Sequence, residues 1–121
     1  LMQMPTVAFI GLGNIGFPMA GCLVRAGVEL IGFDLDKQKV ARIVAAGATA
    51  APSASAAAAQ ADVVVSMVLG GRDARRLYLE DGVIANARPR SLIIDCSTID
   101  VGMTRYCLLH TSPSPRDRTC P

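Results

Sequence analysis

The chain of 121 residues contains no tryptophan, a single histidine and few charged side chains, and each scarcity excludes a class of protein. Charged residues make up 18% of the sequence and hydrophobic residues 51%, a balance that excludes an intrinsically disordered chain. The formal net charge is only +2, so the chain lacks the strongly basic face that grips nucleic acid. The length is typical of one domain, so we expect a single folded domain. From the net charge, we expect no nucleic-acid partner.

Cysteine and histidine are also too sparse for a metal site. The four cysteines are Cys22, Cys96, Cys107 and Cys120, and no two of them form a Cys-x-x-Cys pair. Structural zinc sites need four thiolate or imidazole ligands at short spacings, which these residues and His110 do not provide. We expect no metal ion and reduced thiols, as in a cytoplasmic protein.

An uncharged run from Val7 to Val24 has about the length of a membrane span. No Lys or Arg precedes it, so the positively charged start of a signal peptide is missing. Glycines interrupt the run, and its apolar period changes from that of a buried strand to that of a helix. The run therefore predicts strand, turn and helix, and we expect neither export nor a membrane partner.

Strands and helices alternate along most of the chain. Short apolar runs predict strands at 6–10, 29–33, 48–51, 63–67 and 91–95. Helical spacing predicts helices at 13–26, 37–46, 54–60 and 73–79, with another beginning near Asp100. Asp36 is expected to cap the second helix, and either Ser53 or Ser55 the third. Gly27 and Gly47 are expected to end the first and second helices, and the second should carry Val40, Ile43 and Val44 on one face. The alternation predicts an α/β fold with an open parallel sheet and right-handed crossovers.

A glycine-rich turn, Gly11-Leu12-Gly13-Asn14-Ile15-Gly16, lies at the first junction of strand and helix. Gly11 permits a tight turn, Gly13 lets a pyrophosphate approach the backbone, and Gly16 lets the helix pack closely on the strand. The helix N-terminus then offers N–H groups and a partial positive charge to phosphates. The turn predicts dinucleotide binding by a Rossmann-type, doubly wound parallel sheet. A glycine-rich turn without a ligand is the alternative.

An acidic residue at the end of the second strand supports the dinucleotide interpretation. Asp34 follows the turn by about 20 residues, the spacing at which a carboxylate binds the ribose hydroxyls of a dinucleotide. Such a carboxylate repels a 2′-phosphate, which favours NAD over NADP, although Lys37 could reach a phosphate. The alternative is that Asp34 only caps a helix.

Three segments together resemble the β-hydroxyacid dehydrogenases, a family that includes 3-hydroxyisobutyrate dehydrogenase and tartronate semialdehyde reductase. They are Phe9–Ala20 (FIGLGNIGFPMA), Ala61–Met67 (ADVVVSM) and Ile94–Ile99 (IDCSTI). The resemblance extends over about 4–105.

The resemblance implies roles for residues that follow the fourth and fifth strands. Val68 and Leu69 would line the cofactor, Thr98 would approach its nicotinamide end, and Ser97 would bind the substrate carboxylate. By their residue types alone, Ser97 and Thr98 could equally form a turn at the end of a strand.

The resemblance also implies functional parts that the chain lacks. In the family, a lysine on a later helix acts as general acid–base, and a helical C-terminal domain closes the cleft and forms the oligomer. We therefore interpret the chain as an NAD(P)-binding domain truncated before its last strand or strands and before that helical domain, and not catalytic itself. The parent would be a cytoplasmic, homo-oligomeric oxidoreductase that transfers a hydride between the nicotinamide and a small, 3-hydroxyisobutyrate-like 3-hydroxy acid. The alternatives are a non-catalytic dinucleotide-binding or redox-sensing module and an imine-reductase-like oxidoreductase.

The last residues of the chain do not continue the pattern. The segment from Cys107 to Asp117 has no apolar period and resembles the translated sequence of a sequencing adapter, with His110 in place of tyrosine. We expect the domain to comprise 4–105 and the tail at 106–121 to be non-native, which removes His110 from the candidate catalytic residues.

Overall fold

A computed structural model describes residues 4–68 and 70–96 of the chain. The predictions that lie outside the described residues concern Leu69, Ser97, Thr98, the helix near Asp100 and the tail at 106–121.

The described part of the chain contains one parallel sheet. Its strands are β1 (Thr6–Ile10), β2 (Glu29–Phe33), β3 (Thr49–Ala50), β4 (Val63–Ser66) and β5 (Leu92–Asp95). The strand order β3-β2-β1-β4-β5 places β1 at the centre, and every neighbouring pair is parallel. The chain therefore builds one half of the sheet outward from β1 and then crosses to the other side, which confirms the doubly wound fold class.

Helices cover both faces of the sheet. They are α1 (Gly16–Arg25), α2 (Lys37–Ala45), α3 (Ala54–Ala59), α4 (Gly70–Arg75) and α5 (Val83–Asn86), with a π-helical segment at Arg76–Glu80 directly after α4. Ala20 and Ile43 from α1 and α2 belong to the buried cluster on one face. Ala57 of α3, Leu77 of the π segment and Val83 of α5 belong to the cluster on the other.

The predicted helix boundaries at Asp36, Ser53 and two glycines are confirmed. The Asp36 carboxylate accepts a hydrogen bond from the N–H of Gln38, and the Ser53 hydroxyl accepts one from Ala56. The structure thus decides between the two serines considered as the cap of α3. Gly27 and Gly47 follow α1 and α2 with φ of +89° and +122°, a conformation that other residues rarely adopt.

The structure differs from the sequence-based expectation at three places. The helix over about 73–79, whose start the sequence left open, begins at Gly70 and continues as the π segment, with the two glycines in its first turn. The short helix α5 was not predicted, since it spans one turn and has no side-chain cap. Val44 was predicted to share one face of α2 with Val40 and Ile43, but Ile43 is fully buried and Val44 is 41% exposed.

Candidate dinucleotide-binding site

A cleft of about 850 Å³ opens at the carboxyl ends of the central strands. In-register pairing brings Ile10 of β1, Phe33 of β2 and Ser66 of β4 to the same edge of the sheet. The loops that follow these strands therefore line one cleft, and they contribute Gly13, Asp34 and Val68 among other residues. Open α/β sheets bind their ligands at this edge, where the strand order reverses.

Two glycines of the turn are required by the fold of the loop itself. Gly11 has a φ of +97°, and a Cβ atom placed on it would lie 2.0 Å from the carbonyl oxygen of Met67. A Cβ on Gly16 would lie 2.0 Å from the carbonyl oxygen of Gly11. In both cases the added Cβ would clash with a backbone carbonyl oxygen, which cannot move aside as a flexible side chain could, so neither position tolerates a side chain.

Gly13 differs from these two glycines, because contacts within the protein do not explain why this position lacks a side chain. No heavy atom lies within 4 Å of a Cβ placed on this residue, and its φ is outside the left-handed region. The residue lines the cleft, so the open space above its backbone belongs to the ligand site. A diphosphate that approaches the backbone closely needs that space, and the residues present therefore fit a dinucleotide.

Helix α1 presents its N-terminus to the cleft. It has ten residues and begins at Gly16, and no side chain caps it. Asn14, Ile15 and Gly16 line the cleft at this end of the helix. The first N–H groups and the positive end of the helix dipole thus provide the electrostatics that a diphosphate requires.

Asp34 ties the glycine turn to the end of β2. One carboxylate oxygen accepts the Leu12 N–H at 2.8 Å, and the other accepts the Asp36 N–H at 2.8 Å. Asp36, and not Asp34, caps α2. Each carboxylate oxygen can accept more than one hydrogen bond, and Asp34 lines the cleft, so it keeps acceptor capacity for ribose hydroxyls.

Leu12 has a structural role in this turn. Its side chain is buried in the core at 1% exposure, and its backbone N–H donates the hydrogen bond to Asp34. Leu12 therefore contributes to the site through its backbone and not through its side chain. The other turn residues of the sequence prediction, together with Asp34 and Val68, are brought together around the cleft.

The cations of the cleft differ from the sequence-based expectation. Lys37 does not line the cleft, whereas Lys39, two residues further along α2, does. Lys39 also borders a smaller cavity of about 150 Å³ together with Arg42, whose guanidinium carbon lies 4.3 Å from the centre of the Phe17 ring. Helical spacing explains the difference, because residues two positions apart point to different sides of a helix.

A buried polar network beneath the cleft was missed by sequence reasoning. Ser66, which is fully buried, hydrogen-bonds with the Tyr78 hydroxyl and donates to an Asp95 carboxylate oxygen at 3.1 Å. Burial raises the pKa of Tyr78, and its hydrogen bond with Ser66 opposes that effect. The one available signal was a single serine at the end of the apolar strand Val63–Ser66.

No group of three or more His, Cys, Asp or Glu side chains in the described part of the chain could hold a metal ion. None of the helices in those residues has the length and apolar character needed to cross a bilayer.

The doubly wound sheet, the glycine turn and the acid at the end of β2 define a dinucleotide-binding domain of the Rossmann type. Residues 6–110 match the model of the NAD-binding domain of 6-phosphogluconate dehydrogenase, and the chain belongs to that family.

Relatives and solved structures agree with this assignment. The chain is 48% identical over 97 residues to a Pseudomonas aeruginosa protein named NAD-dependent L-serine dehydrogenase, covering 79% of this chain and 33% of that protein. It is 44% identical to a 3-hydroxyisobutyrate dehydrogenase of the same organism, with the same coverage of each. The structure of a Mycobacterium tuberculosis 3-hydroxyisobutyrate dehydrogenase with L-serine is similar at a TM-score of 0.79 and 44% identity, covering 88% of this chain and 36% of that one. The chain thus spans about a third of the length of the curated relatives it matches.

Proposed function

We propose that this chain binds NAD in the cleft and is the cofactor-binding part of an oxidoreductase that acts on a small 3-hydroxy acid. The open space above Gly13 carries the proposal, because it is the one glycine of the turn that protein packing leaves unexplained. When bound, NAD supplies an acceptor for the hydride of the substrate.

The residues of the cleft have distinct roles in this proposal. The glycine turn at 11–16 and the N-terminus of α1 hold the diphosphate. The Gly11 and Leu12 N–H groups are already bonded to Phe33 and Asp34, so these two residues shape the turn. Asp34 accepts hydrogen bonds from the adenosine ribose. Val68 and Leu69 line the cofactor. As the family resemblance implies, Thr98 approaches the nicotinamide and Ser97 binds the substrate carboxylate. NAD is favoured over NADP, because the Asp34 carboxylate repels a 2′-phosphate.

The substrate class follows from the names of the relatives. L-Serine and 3-hydroxyisobutyrate both have a hydroxyl group on the carbon next but one to the carboxylate, and both stand in names of proteins that this chain resembles. A 3-hydroxyisobutyrate-like acid is therefore the proposed substrate. In this proposal, the general acid–base lysine that the family resemblance implies lies in the parent protein beyond residue 105.

The proposal also includes the location, the oligomeric state and the domain bounds of the protein. We place it in the cytoplasm, as a homo-oligomer formed through a helical domain, with no nucleic-acid or membrane partner. Within the chain, 4–105 form the dinucleotide-binding domain and 106–121 are non-native, although the family match extends to residue 110.

Sequencing the source DNA beyond the codon of Arg105 tests the proposed tail and the catalytic parent together. A reading frame that continues into another strand and a helix bearing lysine supports both. A frame that encodes Cys107–Pro121 and then stops contradicts both and favours a non-catalytic binding module. A continuing frame without that lysine favours an imine-reductase-like enzyme or a redox-sensing domain.

A valine at position 13 tests the binding site directly. Gly13→Val should leave the melting temperature unchanged, since a Cβ at this position has no protein atom within 4 Å, and it should abolish NAD binding measured by calorimetry. The matched control is Gly21→Ala in α1, where a Cβ would meet only the flexible end of Arg25 at 3.3 Å. NAD binding that survives Gly13→Val, or that Gly21→Ala removes as well, would contradict the proposed site.

A further inference from the structure

The cleft wall formed by the π segment contains a charged pair to which the proposed function gives no role. Arg76 and Asp81 both line the cleft that Asp34 also lines. Their side chains are 68% and 44% exposed, and the Arg76 Nε lies 3.9 Å from an Asp81 carboxylate oxygen. The Arg76 guanidinium therefore stands at the cleft surface with a weak partner and unused donors.

The irregular helix explains why these two residues face the same way. In an α-helix, residues five positions apart point about 140° away from each other. Here the Asp81 N–H donates to the Arg76 carbonyl at 2.8 Å, which closes a wider, five-residue turn. The wider turn brings the two side chains together on the cleft side. Such π-helical turns are rare in proteins, and many of those known lie at functional sites.

The surroundings of Arg76 suit a flat aromatic ring. Ala54 and Leu77 line the cleft and belong to one buried cluster, so they form apolar wall. Leu35, which follows Asp34, also lines the cleft and is 88% exposed, an unusual position for a large apolar side chain. These walls offer contact area to an apolar ring face and few hydrogen-bond donors to a phosphate.

We propose that Arg76 stacks its guanidinium on the adenine ring of the bound dinucleotide, with Asp81 as a nearby opposite charge. This inference rests on the proposed function: the diphosphate at the glycine turn and the ribose at Asp34 direct the adenine toward Leu35 and Arg76. A planar guanidinium stacks on an aromatic face, whereas an ammonium group does not reproduce that geometry. Arg76 is thus a specificity residue for the adenosine half of the cofactor.

Three variants of the full 121-residue chain test the inference. Arg76→Gln removes the cation, Arg76→Lys keeps the charge but not the planar group, and Arg75→Gln changes the preceding arginine, which is exposed and does not line the cleft. Dissociation constants for NAD and for AMP are measured by titration, with melting temperatures to confirm folding. Arg76→Gln should weaken NAD and AMP by the same factor of about two to five. Arg76→Lys should weaken both similarly, and Arg75→Gln should change neither.

Other outcomes overturn the inference in distinguishable ways. Equal NAD affinities of Arg76→Gln and Arg75→Gln would show that Arg76 makes no contact with the cofactor. A loss for NAD without a loss for AMP would place its contact outside the adenosine half. Full affinity in Arg76→Lys would mean a charge contact to phosphate instead of stacking. If the unaltered chain binds neither ligand, the proposed function itself fails, and this inference fails with it.

Discussion

At the scale of single residues, hydrogen bonds of a buried serine and a half-buried aspartate hold the strand ends in their positions around the cleft. Ser66 has no exposed surface, and its hydroxyl has partners in Tyr78 and Asp95. Asp34 similarly uses both carboxylate oxygens to bind backbone N–H groups. Buried polar groups are costly without partners, so these contacts fix how the loops leave the sheet.

Removing the Tyr78 hydroxyl should destabilise the fold and change its response to alkaline pH. Tyr78→Phe should lower the free energy of unfolding by about 1 kcal/mol at neutral pH, because one buried hydrogen bond is lost. Since burial raises the pKa of Tyr78 above its ordinary value, the folded state holds the phenol proton more tightly than the unfolded chain does. That stabilisation is complete below pH of about 10 and is lost as the pH rises through the folded-state pKa.

Denaturant unfolding of the unaltered chain and of Tyr78→Phe at pH 8 and pH 11 measures both effects. The unaltered chain should lose more stability than the variant between these pH values, since other titrating groups are common to the two proteins. Parallel losses in both proteins would contradict the assignment of the alkaline effect to Tyr78.

At the scale of elements, the helices on this sheet are short and depend on caps and packing. The helix α3 has six residues, five of them alanine, and buries Ala54, Ala57 and Ala58 against the sheet. A helix of this length is unstable alone in water, even with high alanine content. Its first turn is held by the hydroxyl of Ser53, which accepts the Ala56 N–H at 3.0 Å.

The two serines at the start of α3 should therefore respond differently to the same substitution. Ser53→Ala should lower the free energy of unfolding by about 1 kcal/mol, because the first turn loses its capping acceptor. Ser55→Ala should be close to neutral, since Ser55 lies within the helix and alanine has the higher helix propensity. Chemical denaturation of both variants measures the difference. Equal destabilisation by the two substitutions would refute the assignment of the cap.

At the scale of the whole molecule, the sheet of the described residues has an apolar strand at one edge. Within the described residues, β5 pairs with β4 alone. Leu92 and Ile94 lie on one face of β5 and are 57% and 40% exposed, and Ile93 on the other face is 37% exposed. An exposed apolar edge strand is a template for pairing with another chain, so we expect this edge to drive self-association.

A lysine on this edge should suppress that association. Leu92→Lys should raise the protein concentration at which light scattering detects aggregates, because a charge on an edge strand opposes strand pairing. Ile84→Lys is the matched control, since Ile84 is 54% exposed but lies on the helix α5. An equal effect of the two substitutions would show that general surface hydrophobicity, and not the strand edge, causes aggregation.

Much of this architecture could be predicted because its signals are local. The apolar run at Val63–Ser66, the capping residue Asp36 and the glycines at 27 and 47 each act through neighbours in the chain. The prediction failed at the π segment, where no local pattern marks a turn with one extra residue. It also failed at α5, a single turn without a capping side chain.

The sequence by itself determined the order of strands and helices and the position of the phosphate-binding turn, because periodicity and glycine spacing depend on residues close in the chain. Only the tertiary structure decided that Asp34 holds the Leu12 N–H and that Ser66 joins Tyr78 to Asp95. Those contacts link positions 12 to 29 residues apart, which meet only when the strands align in the sheet. The tertiary structure likewise placed Arg76 on the cleft wall, since a five-residue turn alters the side to which a helix presents its side chains.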